Sequence, residues 1–369
     1  LHDALPILSI LIGFLVTSGI VNVVGSIGDF TRDERTVHNS ILGFVSKDKV
    51  TMPMDLDNQI EDLIRGKTTI GLDLGESSII TLELIEDNDF INDKIRSDHI
   101  EYRFFEGKVE GCSTSRISLT LNEKERTLDG YIKLGGRLHG YMIESVEDSK
   151  ETSHIMYRTD GYHFNPEYTM DLIKKQQSLP PKKESSKYIA TLRWAVFLDG
   201  TNGYGSNWLS DLYNIRGVYR TEVDIDIIVD STTTLTDATT NPDISDWGND
   251  NNMLNDFDDW SIPSSGDKAV LLTHQTIGSI IGQAYTPGNY AWFSTSGDDW
   301  QETIVGSHEL GHNYDASHDD ADWWNEWLWW PTGYHNYHTI MWSPYYYSTY
   351  DHMVDEFSSE NADTIQDNA

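Results

Sequence analysis

The sequence predicts two folded regions of different class. The first is a mainly antiparallel β region. The second is an α/β (α+β) region with a mixed twisted sheet and a helix bearing paired histidines. Three observations carry this expectation. Between residues 68 and 145, short runs such as "RISLTL" alternate, with Ile117, Leu119 and Leu121 on one side and Ser118 and Thr120 on the other, the period of strands. Beyond residue 188 strand-period runs exchange with helix-period runs, the pattern of a layered α/β sheet. Between the two lies "SLPPKKESSK", residues 178–187, whose prolines favour extended backbone and whose polar residues have little to bury.

The chain opens on an apolar stretch. Residues 4–28 carry no charge and centre on "ILSILIGFLV", which reads as a secretory signal or an N-terminal membrane anchor. The expected location is therefore extracellular or the outer cell surface, with membrane contact only if residues 1–28 are retained. The expected organisation is that segment, a β domain over 29–180, a linker over 181–187 and a second domain over 188–369.

Composition narrows the function classes. A formal net charge of −34 over 369 residues repels phosphate backbones and argues against a nucleic-acid partner. Hydrophobic residues at 38% suffice for substantial cores. The single cysteine, Cys112, excludes an intramolecular disulfide framework.

The second half then unfolds in order. "YIATLRWAVFLDG" is a strand. Trp208, Leu212 and Ile215 recur at helical spacing, and Val223, Ile225 and Ile227 alternate with acids at strand spacing. "TTNPDISDWGNDNNMLNDFDDW" reads as a long, solvated acidic loop. It lacks EF-hand spacing, so calcium has no specific motif behind it. "KAVLLTH" is a further strand.

"DDWQETIVGSHELGHN" contains no proline and places Ile304, His308 and His312 on one helical face. Imidazoles four residues apart project side by side and can share one cation. Glu309 sits at the edge of that face, placed to reach a metal-activated water without ligating the metal. Zinc brings such a water's pKa to ~7, and a carboxylate can take its proton during attack on a carbonyl. A catalytic zinc needs three protein ligands and an open position. His318 supplies the third if the helix ends after Asn313, with His335, His338 and His352 as rivals. Gly311, lacking a side chain, lets another segment pack closely on the helix.

"HELGHNYDASHD" resembles the signature of the metzincin zinc peptidases, and most of all the adamalysin/reprolysin branch, in which the third histidine is followed by Asp, here Asp319. The resemblance implies a zinc-dependent endopeptidase acting on extracellular protein or peptide substrates, with Glu309 as base and His308, His312 and His318 as ligands. "YHTIMWSP" is similar to that branch's methionine turn and nominates Met341. "DKAVLLTHQTIGSIIGQAY" is similar to the edge strand and loop lining the cleft, and residues 342–347 are expected to border a substrate pocket. The usual turn glycine is replaced by Asp315, a residue type that tolerates left-handed backbone. Residues 104–145 resemble a reprolysin propeptide, which makes the chain's own propeptide an expected partner and the protein an expected zymogen. Cys112 is then the one candidate to cap the zinc. A competing class keeps the same ligands in a catalytically inactive, zinc-braced secreted binding or adhesion protein, but such a site gains nothing from Glu309.

Overall fold

The computed structural model describes residues 36–41, 51–75, 78–134, 140–148, 151–159, 170, 188–240, 243–247, 253–260, 267–278, 280–295, 299–319, 324–326, 335–341, 351–353 and 356–369. They belong to one compact unit, Arg35–Ala369. The apolar segment 4–28, the linker 181–187 and residues 342–347 lie outside the described residues. Among the described residues no helix is long and apolar enough to cross a membrane.

The first half contributes β1 (Thr36–Ile41), β2 (Met52–Met54), α1 (Asp57–Ile64), β3 (Thr69–Asp73), β4 (Ile79–Glu86), α2 (Asp93–Asp98), β5 (Tyr102–Val109), β6 (Cys112–Asn122), β7 (Thr127–Lys133), β8 (Gly140–Asp148) and β9 (Glu151–Arg158). Strands β2 to β9 make an eight-stranded sheet, ordered β2-β9-β8-β7-β6-β5-β4-β3, with every pairing antiparallel. The alternation in β6 sends Ile117, Leu119 and Leu121 into a core shared with Ile60 and Leu63 of α1. Ser118 and Thr120, on the other face, are buried too, because a helix from the second half covers them.

The second half contributes β10 (Ala190–Asp199), α3 (Trp208–Glu222), β11 (Ile225–Leu235), α4 (Met253–Trp260), β12 (Lys268–Thr273), β13 (Ile280–Thr286), β14 (Tyr290–Ser294), α5 (Asp299–Asn313), β15 (Trp324–Glu326), β16 (His335–His338), β17 (Asp351–Met353) and α6 (Ser359–Asn368). The six-stranded sheet runs β1-β13-β14-β12-β10-β11. β14, β12, β10 and β11 are mutually parallel, whereas β13 is antiparallel to both of its neighbours. A small sheet joins β15, β16 and β17. The acidic stretch expected as a loop is partly helical. Met253, Leu254 and Phe257 of α4 are buried with Trp247 against the sheet, so apolar residues one helical turn apart outweighed the acids between them.

Helix α3 lies between the two large sheets. Its Arg216 donates to Asp87 at 2.5 Å and to Asp226 at 2.7 Å. Arg220 pairs with Asp226, Asp87 and Glu106, and Lys133 of β7 with Glu222 at 2.8 Å. Buried charges of this kind are tolerated only when paired, so the network fixes how helix and β-sheet meet.

Candidate metal centre

Helix α5 brings two of the expected ligands together, and its ending brings the third. His308 and His312 are 0% exposed. After Asn313 the helix closes by two backbone bonds, Ala316 N–H to Gly311 O at 3.1 Å and Asp315 N–H to His312 O at 3.0 Å. That pair is a Schellman ending, which places its left-handed residue at Asp315. Asp315 has φ +69°. The reversal carries His318 back, so that its Nε2 lies 3.2 Å from the Nε2 of both His308 and His312, themselves 3.0 Å apart.

Three nitrogens cannot all hydrogen-bond to one another at these distances. They can share a cation. Zn–N bonds of 2.0–2.1 Å in tetrahedral array set nitrogens about 3.3 Å apart, so the donor set fits zinc in type and spacing. The Nδ1 atoms point away. His308 Nδ1 meets the Ile340 carbonyl at 2.6 Å and His312 Nδ1 the Ala316 carbonyl at 2.8 Å. An Nδ1–H donated to each carbonyl leaves the Nε2 lone pair for a metal. Among the described residues these three histidines are the group able to hold an ion. The rivals His335, His338 and His352 sit in β16 and β17.

Packing around the ligands is close. A Cβ on Gly311 would lie 2.7 Å from Met341 Sδ and 3.3 Å from the Phe357 ring, so Met341, 0% exposed, abuts the helix exactly where a side chain is missing. Asp319 N–H donates to Met341 O at 2.9 Å. The Asp319 carboxylate accepts from Thr339, from Ser358 Oγ at 2.9 Å and from Asn361 Nδ2 at 2.9 Å. Burial raises its pKa against those donors. Asp319 thus braces the turn after His318. At the helix end, Asn313 Nδ2 donates to Tyr285 O and Tyr290 O. Lys268 Nζ donates to Asn313 O at 3.0 Å, and burial lowers its pKa to about 8.

Glu309 is fully buried between α5 and β13. Its Oε1 lies 2.7 Å from where a Cβ on Gly282 would be. Gly282 therefore makes room for the carboxylate beside the strand, a role the sequence reading did not assign. The available signal was a glycine inside the strand-period run "SIIGQAY", which marks close approach. Cys112 is placed elsewhere, buried in the core of the eight-stranded sheet with its Sγ toward Leu134 O at 3.9 Å.

Residues 198–357 match the family model Reprolysin_5, described as Metallo-peptidase family M12. That region is similar to metallopeptidases of family M12. The M12 region contains all three histidines, Glu309, Asp319 and Met341, and none of the eight-stranded sheet or β1. Its activity class is that of a metalloendopeptidase. Among solved structures, the chain is similar to metalloproteinase-II from Bacteroides fragilis, with 15% identity, 85% of this chain and 96% of that chain covered, and a TM-score of 0.43. A chaperone–substrate complex matches at 16% identity over 50% of this chain and 38% of that one, with a TM-score of 0.28. No curated protein matches.

Proposed function

We propose that the M12 region is a zinc endopeptidase in which His308, His312 and His318 hold the ion and Glu309 is the general base. The observation that carries this reading is the convergence of three Nε2 atoms within 3.2 Å, with a buried carboxylate one residue from the first ligand. Zinc in that position supplies Lewis acidity, bringing the pKa of water to ~7 and polarising a carbonyl. Glu309 takes the proton of the attacking water and returns it to the leaving amine. His308 and His312 are held in one orientation by the Ile340 and Ala316 carbonyls, and Met341 packs against the same helix at Gly311. β13 offers backbone groups to an extended peptide, which adds as a strand.

The chain is made as a zymogen in this reading. Residues 29–180 restrain the enzyme until the linker 181–187 is cut, and the apolar segment 4–28 directs the protein outside the cell. The ionic network from Asp87, Glu106 and Lys133 to α3 supports a restraint that stays docked. The test is casein digestion by the linker-cut protein with and without phenanthroline. Digestion abolished by the chelator and restored by zinc is expected; digestion indifferent to the chelator contradicts the reading.

A further inference from the structure

Strand β1 lies outside the M12 region and belongs by sequence to the first half, yet it pairs with β13 of the six-stranded sheet. The register is antiparallel and unbroken from Thr36 to Ser40. Thr36 opposes Thr286, Val37 Tyr285, His38 Ala284, Asn39 Gln283 and Ser40 Gly282, and a bulge then sets Ile41 opposite Ile280. On its other side β13 is paired with β14 through Gly282, Gln283 and Ala284. Without β1, β13 is therefore an edge strand with one side of its backbone open, a template for any extended chain. β1 also runs alongside α5, the histidine helix.

The register decides what this pairing covers. Gly282 is the position whose missing side chain admits Glu309, with Oε1 2.7 Å from the vacant Cβ direction. Ser40 is its partner, and the bulge falls at the next step. Bulges concentrate beside active sites because they redirect a strand locally. The backbone of 39–41 thus passes the stretch of β13 that lies against the general base. An extended substrate pairing with that stretch needs the same N–H and C=O groups that β1 already uses, and the two cannot be bound together.

We propose that Thr36–Ile41 is an internal occupant of the substrate edge, a strand that blocks the cleft through backbone pairing without a ligand to the metal. The inference rests on the zymogen peptidase reading above and deepens it by naming the blocking segment. It differs from latency imposed by the eight-stranded sheet or by Cys112, because β1 lies in neither that sheet nor its core. Restraint is then two-part: the sheet is clasped to α3 by buried ion pairs, and the preceding strand lies across the cleft edge. Cutting within 181–187 releases β1 only if the whole first half departs or β1 peels away, so weakening β1 alone should open the cleft with the linker intact.

The test uses the full chain with both Asn39 and Ser40 replaced, Asn39→Pro/Ser40→Pro. Successive strand residues aim N–H to opposite sides, so the double variant loses a ladder donor to β13 whichever residue supplies it. Hydrolysis of a short fluorogenic peptide is measured before and after trypsin cuts the linker, with zinc content checked. The uncut double variant is expected to turn over about 10-fold or more faster than the uncut unmodified chain, since the fraction of molecules with an open cleft sets apparent affinity. A synthetic hexapeptide of sequence TVHNSI should inhibit the linker-cut unmodified protein competitively, and this second measurement stands even if the proline variant fails to fold. A folded double variant as slow as the unmodified chain, with cutting activating both, overturns the inference and leaves the zymogen reading in place. So does failure of the hexapeptide to inhibit at millimolar concentration. An unmodified chain equally fast cut and uncut removes the zymogen reading and the inference together, and zinc-loaded protein inert in every form removes the peptidase reading beneath both.

Discussion

Gly282→Ala is the substitution that probes the geometry around Glu309 most finely. The new methyl carbon would lie 2.7 Å from Glu309 Oε1, 2.9 Å from its Cγ and 3.0 Å from Val305 Cγ1, where ordinary contact starts at 3.4 Å. The carboxylate must retreat by about 0.7 Å. Glu309 is fully buried and cannot swing into solvent, so the shift moves the proton acceptor itself. Misplacement by ~1 Å can cost ~10²-fold, and a positioned base is worth ~10²–10⁴-fold, so kcat should fall by about 10- to 100-fold. The histidines are untouched, and zinc content should remain full. Stability should fall by no more than ~2.5 kcal/mol, because overpacking of ~1–3 kcal/mol is only partly offset by ~0.5–1 kcal/mol gained on replacing glycine in a strand. The assay is peptide hydrolysis by linker-cut protein, with metal analysis and a thermal melt in parallel. The same substitution made in Glu309→Gln should cause no further loss, since both act on one group. A kcat within twofold of the unmodified protein, at full zinc, would refute the placement of Glu309 against β13.

Three further outcomes follow from the packing. Asp315→Gly should stabilise by ~0.5–1 kcal/mol by relieving left-handed backbone, and Asp315→Val should destabilise by more than ~1 kcal/mol; denaturant melts decide, and equal stabilities would contradict the Schellman ending. Arg216→Ala removes one of the two guanidinium partners that Asp87 and Asp226 share, leaving only Arg220, and should cost up to ~3 kcal/mol, a loss read from the same melts. Asp129, buried and accepting from Ser145 N–H at 2.6 Å, has its pKa pushed by burial from the ordinary carboxylate range up to about 6. Its folded form therefore binds a proton more tightly than its unfolded form, so its contribution is full below pH ~4 and is lost as pH rises through about 6. Asp129→Asn should match the unmodified protein near pH 4 and exceed it by up to ~3 kcal/mol at pH 7; a difference independent of pH would rule this out.

Much of the metal centre was legible because its signals are local. Helical spacing pairs His308 with His312, and the chain can return His318 only if the helix stops where Asn313 ends it. The ending itself was readable at Asp315, since few residue types accept positive φ. Strands β3, β4, β6, β7, β8 and β11 were legible from period-two alternation. Helix α4 was not, because eight residues rich in acids show their apolar face only once Trp247 and the sheet are there to bury Met253, Leu254 and Phe257. Gly282 was hidden for a different reason. Its role depends on Glu309 of another element, and no local pattern announces a cross-element contact. The pairing of β1 with β13 spans more than two hundred residues, and a six-residue run has no signal that selects its partner.

Glu309→Gln bears most directly on the central claim. The amide keeps the size of the side chain and removes the base. The account predicts a zinc content equal to that of the unmodified protein, a nearly unchanged melting temperature and hydrolysis reduced by at least ~10²-fold, expressed in kcat more than in KM. Cleavage at the unmodified rate, with zinc in place, would show that Glu309 is not the base and that the chemistry assigned to this helix is wrong.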